Sequence, residues 1–137
     1  MSSPQDVDVL IIGARVAGSL TAVLLGERGW RVLLLDRATF PSDTLSTHFF
    51  RWPALTAFRR AGIFDEVQAA GAPRLVSAFN DLDDYVFTEP VKGEGGLDYY
   101  LCVRRVTLDD ILVASSPAGT DGRTARRDNS AHPAARR

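Results

Sequence analysis

Residues 8–36 read DVLIIGARVAGSLTAVLLGERGWRVLLLD. Val9, Leu10, Ile11 and Ile12 form a short apolar run of strand type. Gly13-Ala14-Arg15-Val16-Ala17-Gly18 follows at once. Residues 19–28 carry helix formers and offer Leu20, Val23 and Leu24, with Ala17, for one buried face. Gly29 is a natural helix stop, residues 31–35 form a second apolar run, and Asp36 closes it. The expected arrangement is two adjacent parallel strands, residues 7–12 and 31–35. A right-handed crossover helix starting near Val16 joins them.

This is the layout of a Rossmann-like dinucleotide-binding βαβ unit, so the fold class is α/β. Gly13 allows the tight turn out of the first strand. Gly18 lets the helix approach the sheet closely. The helix start near Val16 and Ala17 presents unpaired N–H groups and a partial positive charge to a pyrophosphate. Asp36 lies 23 residues after Gly13, where a carboxylate accepts hydrogen bonds from an adenosine ribose. A 2′-phosphate would meet like charge there. FAD or NAD therefore suits the site better than NADP, although Arg37 weakens that exclusion. Arg15 stands where G-x-G-x-x-G has its middle glycine. It either crowds the site or folds its guanidinium over the pyrophosphate as a bidentate partner.

The remaining composition excludes several classes. A net charge of −1 gives no electrostatic case for nucleic acid. The single cysteine, Cys102, has no partner for an internal disulfide and no metal-ligand spacing around it. A reduced, cytoplasmic setting is the simplest reading. The first six residues lack the basic start of a signal peptide, and no apolar run reaches the about 20 residues of a membrane span. Residues 1–114 hold 11 basic and 15 acidic side chains, a balance of −4. Residues 115–137 hold 5 arginines and 2 aspartates, a balance of +3. That last segment has no Val, Ile, Leu, Met, Phe, Trp, Tyr or Cys. It is expected to be a disordered basic tail, because it buries nothing to offset its ordering entropy. The expected division is a Rossmann-like dinucleotide-binding portion over 1–114 and the tail over 115–137.

Between these ends the periodicity alternates. Residues 38–46 read as a loop, with turn residues at Phe40-Pro41-Ser42-Asp43. Pro53 suits the first turn of a helix that carries Leu55 and Phe58 and stops at Gly62. A short helix over 66–70 stops at Gly71. Residues 75–79 and 85–88 read as strands joined by a turn. Its carboxylates Asp81, Asp83 and Asp84 lack the far glutamate of a calcium loop and read as solvated, with no metal site. Residues 99–103 form a third strand, and Thr107 caps a helix carrying Leu108, Ile111 and Leu112. Asp109 and Asp110 suit that helix start electrostatically.

Three stretches together resemble the FAD-dependent monooxygenases and oxidoreductases of the para-hydroxybenzoate hydroxylase type. They are residues 8–37, residues 40–48 (F-P-S-D-T-L-S-T-H) with 55–65, and residues 105–112 (R-x-x-L-D-x-x-L). The resemblance covers about residues 7–113. It implies that Gly13, Arg15, Val16, Ala17 and Gly18 hold the FAD pyrophosphate and that Asp36, with Arg37 beside it, binds the adenosine ribose. Thr47 and His48 would run toward the flavin, and Arg105 would contact the phosphate or ribitol side. A surface position remains the alternative for His48. A helix cap or a pair with Asp109 remains the alternative for Arg105. The strands from Leu75 to Val103 would begin a β-rich substrate-domain insertion. NAD(P)H would supply electrons in the full-length family, and the substrate would be a small molecule, aromatic in many members.

The family chain is several times longer and carries a second FAD motif that this sequence lacks. The expectation is a truncated, incomplete domain, inactive alone. Two other readings compete. A non-catalytic nucleotide-binding or vestigial product fits the abrupt change of composition at Ser115. A short-chain NAD-dependent dehydrogenase wants Tyr-x-x-x-Lys, but the one lysine is Lys92 and residue 88 is Thr88.

Overall fold

The computed structural model describes residues 6–47, 49–116, 119–121 and 124–126. The elements run β1 (Val9–Ile12), α1 (Val16–Gly26), β2 (Val32–Leu35), β3 (Phe49–Phe50), α2 (Trp52–Arg60) and α3 (Phe64–Ala69). They continue with β4 (Arg74–Leu75), β5 (Ser77–Asp81), β6 (Val86–Pro90), β7 (Tyr100–Cys102), α4 (Arg105–Ser115), β8 (Gly119–Asp121) and β9 (Thr124–Arg126). The chain divides into two compact units, Met1–Asp43 with Val106–Arg137, and Thr44–Arg105.

In the first unit β1 and β2 are parallel neighbours, in register from Val9 opposite Val32 to Ile12 opposite Leu35. Both strands are apolar runs, so their pairing builds the core. Ala14, Ala22, Val32, Leu34 and Val113 are buried together, with Val9, Ile11, Leu25 and Phe40 packed around them. At the strand starts, Asp8 accepts from the Arg31 backbone N–H and from its guanidinium, at 2.7–3.0 Å. At the far ends the Gly13 N–H donates to the Leu35 carbonyl at 2.7 Å.

α1 buries Ser19, Ala22 and Val23. Leu20 and Leu24 are only half-buried and Ala17 is exposed, so the expected buried face is rotated. The reason is size: Ser19 and Ala22 let the helix lie close, where leucines would hold it away. On the other face of β1, Leu10 and Ile12 are 53% and 83% exposed.

Within the tail expected to be disordered, two short stretches differ from that expectation. Gly119–Asp121 and Thr124–Arg126 are strands, and the sheet order is β1-β2-β9-β8. β9 runs antiparallel to β2, with Leu34 opposite Ala125. Apolar content missed this pairing because an open strand edge is satisfied by backbone N–H and C=O groups whatever the side chains. α4 runs through Ser115, one residue past the expected start of that tail. The other tail residues, apart from Ser116, lie outside the described residues.

The second unit is built from short pieces. α2 starts with Pro53 in its first turn and buries Leu55 and Phe58, and α3 buries Phe64 and Val67. Gly62 and Gly71 follow the two helices at φ +67° and +78°. β3, β7 and β4 form an antiparallel sheet in that order, with Leu101 fully buried. β5 and β6 form a separate hairpin. The strand expected over 75–79 is broken at Val76 because its two halves change partners, β4 pairing with β7 and β5 with β6. The helix expected from Thr107 starts two residues earlier, at Arg105.

Candidate functional site

The turn between β1 and α1 is held from three sides. Gly13 adopts φ +108°, a conformation that side chains other than glycine's rarely take. Gly18 faces back onto it: a Cβ at Gly18 would lie 1.7 Å from the Gly13 carbonyl oxygen and 3.3 Å from Ile11 Cγ2. Helix and turn are therefore in direct backbone contact. The Ser19 hydroxyl donates to the Ala14 carbonyl at 2.8 Å.

Asp36, at the end of β2, completes the turn. Its Oδ2 accepts from the Ala14 N–H at 2.6 Å and its Oδ1 from the Ala38 N–H at 2.7 Å. Burial pushes the carboxyl upward, but the Ala38 and Ala14 N–H groups, the Arg15 charge and the Arg37 N–H together hold it below its ordinary value. The carboxylate is ionised at neutral pH and only half-buried. Each of its oxygens retains acceptor capacity beyond one N–H. It thus ties the acidic strand end to the glycine turn across 22 residues. The sequence suggested a role for Asp36 toward a ribose but not this second role toward its own backbone.

α1 opens at Val16 with Arg15 as N-cap and with no side-chain cap. The N–H groups of Val16, Ala17 and Gly18 belong to the first turn and have no acceptor within the helix. No acidic side chain occupies that turn. A positive helix end with open amides and a glycine-lined turn offer donors to a diphosphate, and the adjacent carboxylate offers an acceptor to ribose hydroxyls.

Arg15 has partners that the sequence did not suggest. Its backbone is extended, φ −83° and ψ −172°, so the position does not need glycine for conformation. Its guanidinium is engaged by protein groups: Nη1 donates to Asp109 Oδ2 at 2.6 Å and to the Ser42 carbonyl at 2.8 Å. Nη2 donates to Ser42 Oγ at 2.7 Å, and the guanidinium carbon sits 5.0 Å from the Phe40 ring centre. Asp109 is fully buried, unlike the dipole-facing residue expected on the helix start. The contacts of Arg15 with Ser42 and Asp109 went unnoticed in the sequence because nothing local marks a contact across 27 or 94 residues.

The structure brings Gly13, Arg15, Val16, Ala17, Gly18 and Asp36 together, with exposed Arg37 next in the chain. Thr47 is exposed and Arg105 is the first residue of α4; both are counted with the Thr44–Arg105 unit. His48 lies outside the described residues.

Known proteins agree with this geometry. The 6-hydroxy-3-succinoylpyridine 3-monooxygenase HspB of Pseudomonas putida is 29% identical over 109 residues, which is 77% of this chain and 28% of that protein. Kynurenine 3-monooxygenase of Stenotrophomonas maltophilia is 40% identical over 65 residues, 43% of this chain and 14% of that one. Among solved structures, the myxobacterial chondrochloren halogenase CndH, a FAD-dependent halogenase, superposes with a TM-score of 0.70 at 26% identity. That match covers 82% of this chain and 26% of CndH, so the chain spans about a quarter of the length of such relatives. The family described as "FAD binding domain" matches residues 6–127. The chain belongs to that family.

Proposed function

We propose that residues 13–38 hold the adenosine diphosphate half of FAD, and that the whole protein to which this domain belongs is a flavin-dependent monooxygenase. The observation that carries the reading is the Asp36 carboxylate bonded to the Ala14 N–H. That bond joins the end of β2 to the glycine turn, the two parts this reading assigns to the ribose and the pyrophosphate. In this reading the amides of Val16, Ala17 and Gly18 receive the pyrophosphate, helped by the helix dipole. Asp36 takes the ribose hydroxyls, and its negative charge disfavours a 2′-phosphate. When bound, FAD supplies the redox chemistry; these residues bind it, orient it and shield its phosphates from water.

NAD(P)H as electron donor and a small aromatic substrate are extensions of this reading. The substrate class draws on the names of relatives such as HspB and the phenol 2-monooxygenase of a Pseudomonas species, 28% identical over 89 residues, and the electron donor on the family resemblance alone. A cytoplasmic location accords with the single cysteine; among the described residues no helix is long and apolar enough to cross a membrane. These 137 residues alone are expected to bind FAD weakly and not to turn over substrate, because the flavin ring would remain in water.

Isothermal titration of the purified chain with FAD, and of an Asp36→Ala variant, tests the assignment. Saturable binding lost in the folded variant supports it; equal binding by both refutes it. A parallel assay of NADH and NADPH oxidation with a panel of phenols should stay at the level of free FAD. Sustained oxidation coupled to product would refute the expectation of inactivity.

A further inference from the structure

The Arg15–Asp109 pair joins three separated segments of the first unit: the glycine turn, the loop after β2 and α4. Arg15 is the N-cap of α1, so it sits between Ala14, which donates to Asp36, and the first-turn amides of Val16, Ala17 and Gly18. Whatever fixes Arg15 fixes both flanks. The fixing is extensive. One guanidinium nitrogen bridges the Asp109 carboxylate and the Ser42 carbonyl, the other holds Ser42 Oγ, and the plane lies against Phe40. The planar fork of arginine suits this three-point attachment, which a lysine cannot reproduce.

Electrostatics gives the pair a second role. A cation at a helix N-terminus opposes the helix dipole. Here the buried Asp109 carboxylate lies 2.6 Å from Arg15 Nη1, so the helix end keeps its attraction for anions. The same guanidinium charge also favours the ionised form of Asp36. In the standard motif a missing Cβ lets the backbone approach the phosphates. In this chain that position carries a side chain turned onto Ser42 and Asp109.

We propose that Arg15 and Asp109 are positioning residues for the dinucleotide, their ion pair setting the pose in which Ala14 and the first turn of α1 meet the pyrophosphate. The proposal rests on the FAD reading above and deepens it. It carries a consequence that the motif alone reverses. Arg15→Gly recreates G-x-G-x-x-G, which should improve FAD binding if the middle glycine were the determinant. Loss of the strut instead weakens binding.

The test uses the full chain with FAD and ADP as probes. Four proteins are compared: wild type, Arg15→Gly, Arg15→Lys, and Arg15→Gly combined with Asp109→Leu. Urea midpoint, ligand affinity by titration calorimetry, and amide exchange at Ala14 are measured on each. Arg15→Gly should lose stability, because a buried carboxylate loses its guanidinium. Adding Asp109→Leu should raise the urea midpoint again, since it removes the buried carboxylate that has lost its guanidinium. Affinity for FAD and ADP should nevertheless stay at least tenfold weaker in that double variant, with Ala14 exchange at least tenfold faster. Arg15→Lys should fold and bind with intermediate affinity. A double variant that recovers stability, affinity and Ala14 protection together overturns the proposal and leaves the pair a packing element. Should the double variant not fold, Arg15→Lys decides alone, and wild-type affinity with wild-type Ala14 protection overturns the proposal. A wild-type chain that binds neither probe refutes the cofactor reading, and this proposal with it.

Discussion

Replacing Gly18 by alanine sets two physical effects against each other. Helix propensity favours the change by up to about 1 kcal/mol, because alanine is the better helix former. The structure opposes it. The new Cβ would lie 1.7 Å from the Gly13 carbonyl oxygen and 3.0 Å from its carbon, whereas non-bonded atoms prefer about 3.5 Å or more. A displacement well over about 1 Å is needed, and the atoms in the way are backbone. Gly13 has little freedom to yield, since its own N–H is bonded to Leu35 and the next residue to Asp36. Overpacking of this kind costs about 1–3 kcal/mol or more. The net expectation is a loss of about 1–2 kcal/mol, or a fall in Tm of about 4–10 °C. FAD affinity should fall further than stability, because the part that moves is the turn facing the pyrophosphate. Gly29→Ala is the control: φ there is +84° but nothing lies within 4 Å of the new Cβ, so it should cost stability and leave affinity unchanged. Circular-dichroism melts and FAD titrations of both variants read the difference. A Gly18→Ala protein as stable as wild type, with undiminished FAD binding, would show that the helix and turn are not in the contact described.

Other expectations follow from the same contacts. Because the folded-state value of Asp36 is lowered, its contribution is present above the unfolded value of about 4 and is lost as pH falls through the lower folded value. Urea midpoints should therefore drop below about pH 4 in wild type, with a shallower drop in Asp36→Asn; identical pH slopes would rule out this linkage. In a complete enzyme containing this domain, Asp36→Ala should weaken FAD binding by about 1.5–3 kcal/mol, the range for hydrogen bonds to a charged group; unchanged affinity in a folded variant would remove Asp36 from the site. Ending the chain after Ser116 should uncover the β2 edge that β9 occupies and raise concentration-dependent association, read by sedimentation velocity. A truncated chain that stays monomeric at every concentration would show that β9 is dispensable.

The sequence disclosed most where one residue type has one physical meaning. Gly13, Gly29, Gly62 and Gly71 all adopt positive φ, and the alternation of apolar runs with helix formers placed β1, α1 and β2 within two residues of their bounds. What it concealed depends on tertiary partners. Asp109 reads as an ordinary acidic residue near a helix start, and only the packing of α4 makes it the buried partner of Arg15. The break at Val76 is invisible in the run from Leu75 to Phe79 because it arises from two different neighbours. β9 was hidden because strand pairing at an edge needs backbone groups and not an apolar signature.

The central claim is that the glycine turn and Asp36 form one receptor for the adenosine diphosphate half of FAD. Amide chemical shifts of the labelled 137-residue chain, followed while FAD and then ADP are added, test it most directly. The account predicts saturable shifts concentrated at Gly13, Ala14, Val16, Ala17, Gly18 and Asp36, nearly the same for both ligands because both carry the half that is recognised. Shifts that leave these amides unmoved, or that appear with FAD at unrelated positions and not with ADP, would contradict it.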